Sequence, residues 1–137
     1  MSLVLTRRDF LARTLGWAAL PAIARAYAVR RGPHPTPRAG VTAARMATAA
    51  QLAGEDADVL DAFESVRKIP QVVDGIRCHC GCAGRPDKYS LLSCYEGEHA
   101  MARHCMVCQG EGRMAARLHA EGKTLDQIRT AIDERYG

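Results

Sequence analysis

The chain has 137 residues and a formal net charge of +4, with two Phe, four Tyr and one Trp. Most of the excess charge lies in the first 28 residues, which hold four Arg and one Asp, so the remainder carries only +1. A nearly neutral body argues against nucleic-acid binding. A chain of this length forms one small domain with a modest core.

Residues 1–28 have the layout of an export signal. Residues 6–11 (TRRDFL) resemble the twin-arginine consensus, and residues 14–24 form a mildly apolar stretch. That stretch is too short for a membrane span, which needs about 20 residues. Ala26 and Ala28 supply small residues for a signal peptidase. We therefore expect a signal peptide over residues 1–28, the twin-arginine export machinery as a partner, and a periplasmic or extracellular location. The alternative is an amphipathic N-terminal helix with two chance arginines.

No cysteine precedes Cys78, so we expect no lipid anchor and no membrane anchor after cleavage. Pro33, Pro35 and Pro37 then predict a flexible, extended and solvated linker over residues 29–40. We expect His34 to lie in this mobile segment. Residues 41–137 are predicted to form a cysteine-rich helical domain.

The pattern from residue 41 onward predicts an all-α fold. An Ala-rich stretch predicts a helix over residues 41–53, ended by Gly54. A second helix is expected to begin near Asp56 and to end at Pro70, or to be followed by a short turn that Pro70 opens. Its buried face at helical spacing is predicted to contain Val59, Leu60, Phe63 and Val66.

The C-terminal part predicts an α-hairpin. One helix is expected over residues 99–120, weakened by Gly110 and Gly112 and ended by Gly122. Thr124 and Gln127 match a capping box at the start of the last helix. One stripe of that helix contains Leu125, Ile128, Ile132 and Tyr136. We expect the hairpin to pack against the first two helices, with the cysteine-rich loop across one end.

All six cysteines lie within one short segment: Cys78, Cys80, Cys82, Cys94, Cys105 and Cys108. In a regular strand, alternate side chains are about 6.6 Å apart, which is too far for three sulfurs to share one ion. Gly81 permits a tighter bend of the Cys-x-Cys-x-Cys block. Cys105 and Cys108 would share a face of a helix. The spacing predicts a thiolate cage for a metal ion.

Thiolates are ligands for zinc, Cu(I) and iron–sulfur clusters. A structural zinc needs four ligands, and closely spaced Cys-x-Cys pairs suit thiolate-bridged Cu(I), so we favour Cu(I) and place zinc second. The spacings do not match the common iron–sulfur runs. The possible secondary ligands are His79, His104 and Met101, although helix packing is the ordinary role of such a methionine.

Two alternatives remain. Six cysteines in an exported protein of this size are typical of three disulfides, with 15 conceivable pairings, and would then make a disulfide-stabilised helical interaction module without metal. Cys105 and Cys108 also have redox-motif spacing, but no βαβ pattern surrounds them. No convincing pair of general acid and base is visible, so we expect a protein that is not an enzyme.

The motifs resemble the bacterial PCYCGC-motif family of exported cysteine-rich proteins. The resemblance rests on residues 77–82 (RCHCGC) and 89–94 (YSLLSC), the pair Cys105 and Cys108, and the tail, and covers about residues 55–137. Arg77 replaces the family's Pro and His79 its Tyr. The resemblance implies export and the cysteine constellation, and no activity. We therefore expect an extracytoplasmic soft-metal-binding protein for Cu(I) buffering, delivery or resistance, with a copper-accepting exported protein as a potential partner.

Overall fold

The computed structural model describes residues 32–137, so the predicted signal peptide lies outside the described residues. This part of the chain has no β-strand and four α-helices: α1 Ala57–Arg67, α2 Pro70–Asp74, α3 Met106–Ala120 and α4 Leu125–Tyr136. Of the four short 3-10 helices, one precedes α1 and three lie between α2 and α3: Ala43–Arg45, Cys82–Gly84, Leu92–Cys94 and Met101–Arg103. No helix in residues 32–137 is long and apolar enough to cross a membrane. The predicted all-α class is confirmed.

The two helices before the cysteine block form largely as expected. Asp56 is the N-cap of α1, and Val59, Ala62, Phe63 and Val66 make its buried face. Leu60, by contrast, is 39% exposed and lies at the edge of that face. Pro70 is the first residue of α2, where its missing N–H costs no intrahelical hydrogen bond.

Helices α3 and α4 form the predicted C-terminal hairpin. Gly122 has a φ of +78°, which ends α3 in the left-handed conformation that glycine adopts easily. Thr124 and Gln127 make both hydrogen bonds of the capping box. Ile128 and Ile132 are fully buried. Helix α3 packs against α1 on one side and α4 on the other, so it is the central helix of the fold.

The helix predicted over residues 41–53 is wrong. Only Ala43–Arg45 form a 3-10 helix, and Met46 makes an isolated antiparallel bridge with Glu96. The N–H of Ala47 donates to the carbonyl of Tyr95 at 3.0 Å instead of to a carbonyl within its own segment. Tertiary hydrogen bonds from the loop after Cys94 therefore replace helical ones, and a high Ala content does not outweigh them.

The predicted start of the third helix near residue 99 is also wrong. Met101–Arg103 form a separate 3-10 helix, and α3 begins at Met106 with Cys105 as its extended N-cap. The Cys105 Sγ accepts a hydrogen bond from the N–H of Cys108 at 3.4 Å. The two cysteines therefore do not share a helix face, because only Cys108 lies inside the helix.

The proline-rich stretch is extended, but residues 34–38 are held against the domain and are not solvated throughout. Arg38 pairs with the buried carboxylate of Asp74 at 2.6 Å, and Tyr89 donates its hydroxyl to the carbonyl of Thr36 at 2.6 Å. His34 is bonded through both ring nitrogens and its side chain is 14% exposed. The expectation of a mobile His34 is therefore corrected: composition predicted the extended backbone, and these long-range contacts fix its position.

A buried tyrosine holds the cysteine-rich loops against α3. Tyr95 is fully buried, stacks edge-on against Phe63 with ring centroids 4.8 Å apart, and donates its hydroxyl to the carbonyl of Cys108 at 2.7 Å. Gly112 makes room for it, since a β-carbon there would overlap the Tyr95 hydroxyl and come within 2.6 Å of Val66. Gly110 meets Tyr136 in the same way. Both helix glycines are thus explained by the close approach of tyrosines.

Candidate metal centre

Four cysteines from three separate segments meet at one point. Cys78 and Cys80 come from the block after α2, Cys94 ends a 3-10 helix, and Cys108 lies in the first turn of α3. The N–H of Leu91 donates to the carbonyl of Ile76 at 2.7 Å, which ties the segment carrying Cys94 to the one carrying Cys78. The Tyr95 hydroxyl bond then brings Cys94 to the start of α3.

The four sulfurs lie within 4.8 Å of one another. Three of them form a nearly equilateral triangle, with Sγ–Sγ distances of 3.2 Å between Cys78 and Cys80, 3.4 Å between Cys78 and Cys108, and 3.5 Å between Cys80 and Cys108. Cys94 and Cys108 are fully buried and Cys78 is 3% exposed, whereas Cys80 is only half-buried. We call Cys78, Cys80, Cys94 and Cys108 the inner cluster. It is able to hold a metal ion.

The inner cluster can ionise easily at one sulfur only. Hydrogen bonds from Cys108 and Cys78 lower the pKa of Cys94 to about 6, against the effect of burial. For Cys78, the hydrogen bond with Cys108 lowers the pKa. The hydrogen bond with Cys94 and burial have the opposite and larger effect, and together they raise the pKa of Cys78 to about 12. Hydrogen bonds to Cys78 and Cys94 raise the pKa of Cys108, and burial raises that of Cys80. Because like charges at this separation repel, a cation is needed for all four to become thiolates.

The remaining two thiols lie beside this cluster and outside it. Burial and interaction with the Cys80 thiol raise the pKa of Cys82 to about 12. Gly81, between Cys80 and Cys82, has a φ of +87° and makes the bend that the block requires. Cys105 is half-buried and contacts Cys108 through the hydrogen bond at the start of α3. We call Cys82 and Cys105 the outer pair.

The candidate secondary ligands lie elsewhere. Both ring nitrogens of His79 are bonded to carboxylates, Nδ1 to Glu111 at 2.5 Å and Nε2 to Asp133 at 2.8 Å. His104 is exposed at the end of a 3-10 helix. Met101 is half-buried and packs against the hydrophobic core. The imidazole of His79 therefore has a different role, which its carboxylate partners define.

A network of carboxylates and imidazoles holds the cysteine block in place. Glu111, fully buried on α3, accepts a second hydrogen bond from the backbone N–H of His79 at 2.9 Å, and its other oxygen has no partner. The hydrogen bond that the ring of His79 donates to Glu111 raises the pKa of His79 in spite of burial. Glu111 thereby fixes the residue between Cys78 and Cys80 and aims both thiols at Cys108, one turn earlier on the same helix.

The network continues to the N-terminal segment. Asp133 on α4 bridges His79 and His34, and hydrogen bonds from both imidazoles lower the pKa of Asp133 although burial raises it. The Nδ1 of His34 accepts the N–H of Arg77 at 3.0 Å, one residue before the cysteine block. Burial lowers the pKa of His34. Three parts of the chain, the segment with His34 and helices α3 and α4, thus converge on the cysteine block.

Sequence reasoning missed Glu111, Asp133 and Tyr95. Glu111 carried a usable signal, because it lies three residues after Cys108 on a stripe that continues with Gly112 and Ala115, and an acidic residue on a buried face is unusual. Asp133 and Tyr95 carried none, since their partners are 54 and 13 residues away in the chain.

The fold and site define a small helical protein whose loops and central helix enclose a tetracysteine cluster. A family model described as a protein of unknown function with PCYCGC motif matches residues 39–137. The chain belongs to this PCYCGC-motif family, as the triplet Cys78, Cys80 and Cys82 indicated. No curated protein and no solved structure matches it.

Proposed function

We propose that the protein is an extracytoplasmic binder of one soft metal ion, held by the inner cluster, and that it is a carrier or buffer and not an enzyme. The observation that carries the proposal is the convergence of four thiols within 4.8 Å in a buried site. Buried cysteines serving only as small apolar residues have no reason to meet at one point from three segments. Four sulfurs at about 2.3 Å from one ion lie about 3.8 Å apart, close to the spacing of the inner cluster.

We propose Cu(I) as the ion. The triangle of Cys78, Cys80 and Cys108 matches the three-sulfur coordination that Cu(I) accepts, with Cys94 as a further sulfur beside it. Soft thiolates favour this ion. The half-buried Cys80 leaves one edge of the site near the solvent, which suits an ion that is passed on. Buffering, delivery to a copper-accepting exported protein, and resistance are the roles consistent with such a site.

Zinc is the second candidate, and the same cluster supports it through its fourth sulfur. Closed tetrathiolate sites without an open position are typical of structural zinc. The two ions would behave differently in the site. Zinc would stabilise the fold and stay bound, whereas Cu(I) would exchange with a competing soft ligand.

The proposed location and export route rest on residues 1–28, read from sequence. The test is therefore to purify the protein from the exported fraction under anaerobic conditions, and to measure its metal content by elemental analysis together with the number of free thiols after denaturation. We expect six free thiols and one ion per chain. Cu(I) loading should protect Cys78, Cys80, Cys94 and Cys108 from alkylation more strongly than Cys82 and Cys105, as read by peptide mass mapping.

The variants Cys80→Ser and Cys82→Ser are a matched pair in the same block. Cys80→Ser should lose most of the Cu(I) affinity, measured by competition with a chromogenic Cu(I) chelator, while Cys82→Ser should keep it. Six thiols oxidised into three bridges, with no metal present, would instead identify the disulfide-stabilised interaction module. Tight zinc with negligible Cu(I) would select the second candidate.

A further inference from the structure

The inner cluster is partly accessible at one member, Cys80, and two further thiols lie next to members of the cluster. Cys80 is the only half-buried member, whereas the other three are at most 3% exposed. Cys82 follows it after the exposed Gly81, where a β-carbon would meet nothing within 4 Å. The accessible edge therefore faces the open loop that begins at Gly81.

Each member of the outer pair contacts a different residue of the inner cluster. The Cys82 thiol interacts with that of Cys80, and Cys105 is hydrogen-bonded to the N–H of Cys108. Met106 follows Cys105 and is 84% exposed, which is unusual for a methionine. Exposure thus decreases from Met106, through the half-buried Cys105, to the fully buried Cys108, whereas Cys82 is itself only 9% exposed.

We infer that Cys82 and Cys105, with Met106 at the rim, form a transfer edge through which a soft metal ion enters and leaves the inner cluster by stepwise exchange of sulfur ligands. The inference rests on the proposed function. In each step, one bond between metal and sulfur forms as another breaks. The thiol that takes the ion releases its proton to water, and the thiolate that gives it up regains one. No electron is transferred.

The stepwise route has a kinetic consequence. An ion leaving a buried cage directly would have to lose several thiolates before gaining any new ligand. A neighbouring thiol that bonds before an inner one releases the ion avoids this poorly coordinated state. Since the outer pair would be bound only in passing, its removal should slow loading and release equally and leave the equilibrium affinity nearly unchanged.

The test uses Cu(I) supplied as a complex with a chromogenic chelator, and the double variant Cys82→Ser/Cys105→Ser. Serine retains capping ability at the start of α3, so the variant should fold, which circular dichroism and thermal melting verify. We expect one bound ion per chain, as in the wild type, with both loading and removal by excess chelator slowed about tenfold or more in stopped-flow measurements. Met106→Leu should slow both rates less, and the control Met114→Leu, at a half-buried position packed against the core, should slow neither.

Two outcomes would overturn the inference while leaving the proposed function intact: unchanged rates in the double variant, or a loss of bound ions, which would make the outer pair resting ligands. If the wild-type protein fails to bind Cu(I), then it is the proposed function that fails, and the transfer edge with it.

Discussion

Replacing Glu111 tests whether the buried carboxylate positions the cysteine block. Its Oε1 accepts two hydrogen bonds from His79, at 2.9 Å from the backbone N–H and 2.5 Å from the ring, and the side chain is fully buried. Removing one member of a buried, hydrogen-bonded ion pair costs about 3–5 kcal/mol. We expect Glu111→Ala to lower the free energy of unfolding by about this amount, measured by denaturant unfolding of the metal-free protein.

Metal affinity should fall as well. Outer-shell partners that orient metal ligands typically contribute a factor of about 10 to 100 in affinity, and Glu111 holds the backbone between two members of the inner cluster. The variant Glu111→Gln keeps one acceptor oxygen at the same place, so we expect it to retain more affinity and more stability than Glu111→Ala. Competition between the folded protein and a Cu(I) chelator measures the affinity separately from folding.

Glu134→Ala is the matched control, because Glu134 is an exposed acidic residue on α4. It should change the free energy of unfolding by less than about 0.5 kcal/mol and leave the metal affinity unchanged. The reasoning would be refuted if folded Glu111→Ala and folded Glu111→Gln both bound Cu(I) as tightly as the wild type. In that case the cysteine block would hold its geometry without help from α3.

Three further predictions concern the parts of the fold that surround the site. The buried Asp74 has a lowered pKa, because its hydrogen bonds to Arg38 and Ser90 outweigh burial, so its contribution to stability is present at neutral pH and is lost as the pH falls below about 4. Asp74→Asn should therefore lower the free energy of unfolding by about 2–3 kcal/mol at pH 7. The difference from the wild type should be smaller in acid, which urea unfolding at several pH values measures. Equal differences at all pH values would contradict this prediction. Gly112→Ala should lower the free energy of unfolding by about 1–3 kcal/mol, because its β-carbon would overlap the buried hydroxyl of Tyr95. Gly84→Ala has open space around its β-carbon and should leave the free energy of unfolding nearly unchanged. His34→Ala should lower the free energy of unfolding by about 1–2 kcal/mol and speed proteolytic cleavage within residues 33–38. Unchanged cleavage would show that this segment is held by other contacts alone.

Local signals predicted the elements whose causes are local. The capping box of Thr124 and Gln127 places the start of α4, Gly122 ends α3, and Pro70 begins α2, because each of these residues restricts or satisfies its own backbone. The buried face of α1 followed from its helical spacing. The helix predicted over residues 41–53 does not form because its backbone partners are distant in sequence. Met46 and Ala47 are bonded to Glu96 and Tyr95, about 50 residues further along the chain.

The sequence by itself determined the donor atoms of this protein: six thiols in one short segment, with Gly81 to bend the block, favour soft-metal binding or disulfides. Only the tertiary structure decided which thiols meet, because Cys94 and Cys108 reach Cys78 and Cys80 through contacts between distant segments. It also paired both ring nitrogens of His79 with carboxylates, those of Glu111 and Asp133. Side-chain type can be read along a chain, whereas the distance between two side chains far apart in sequence depends on how the intervening elements pack.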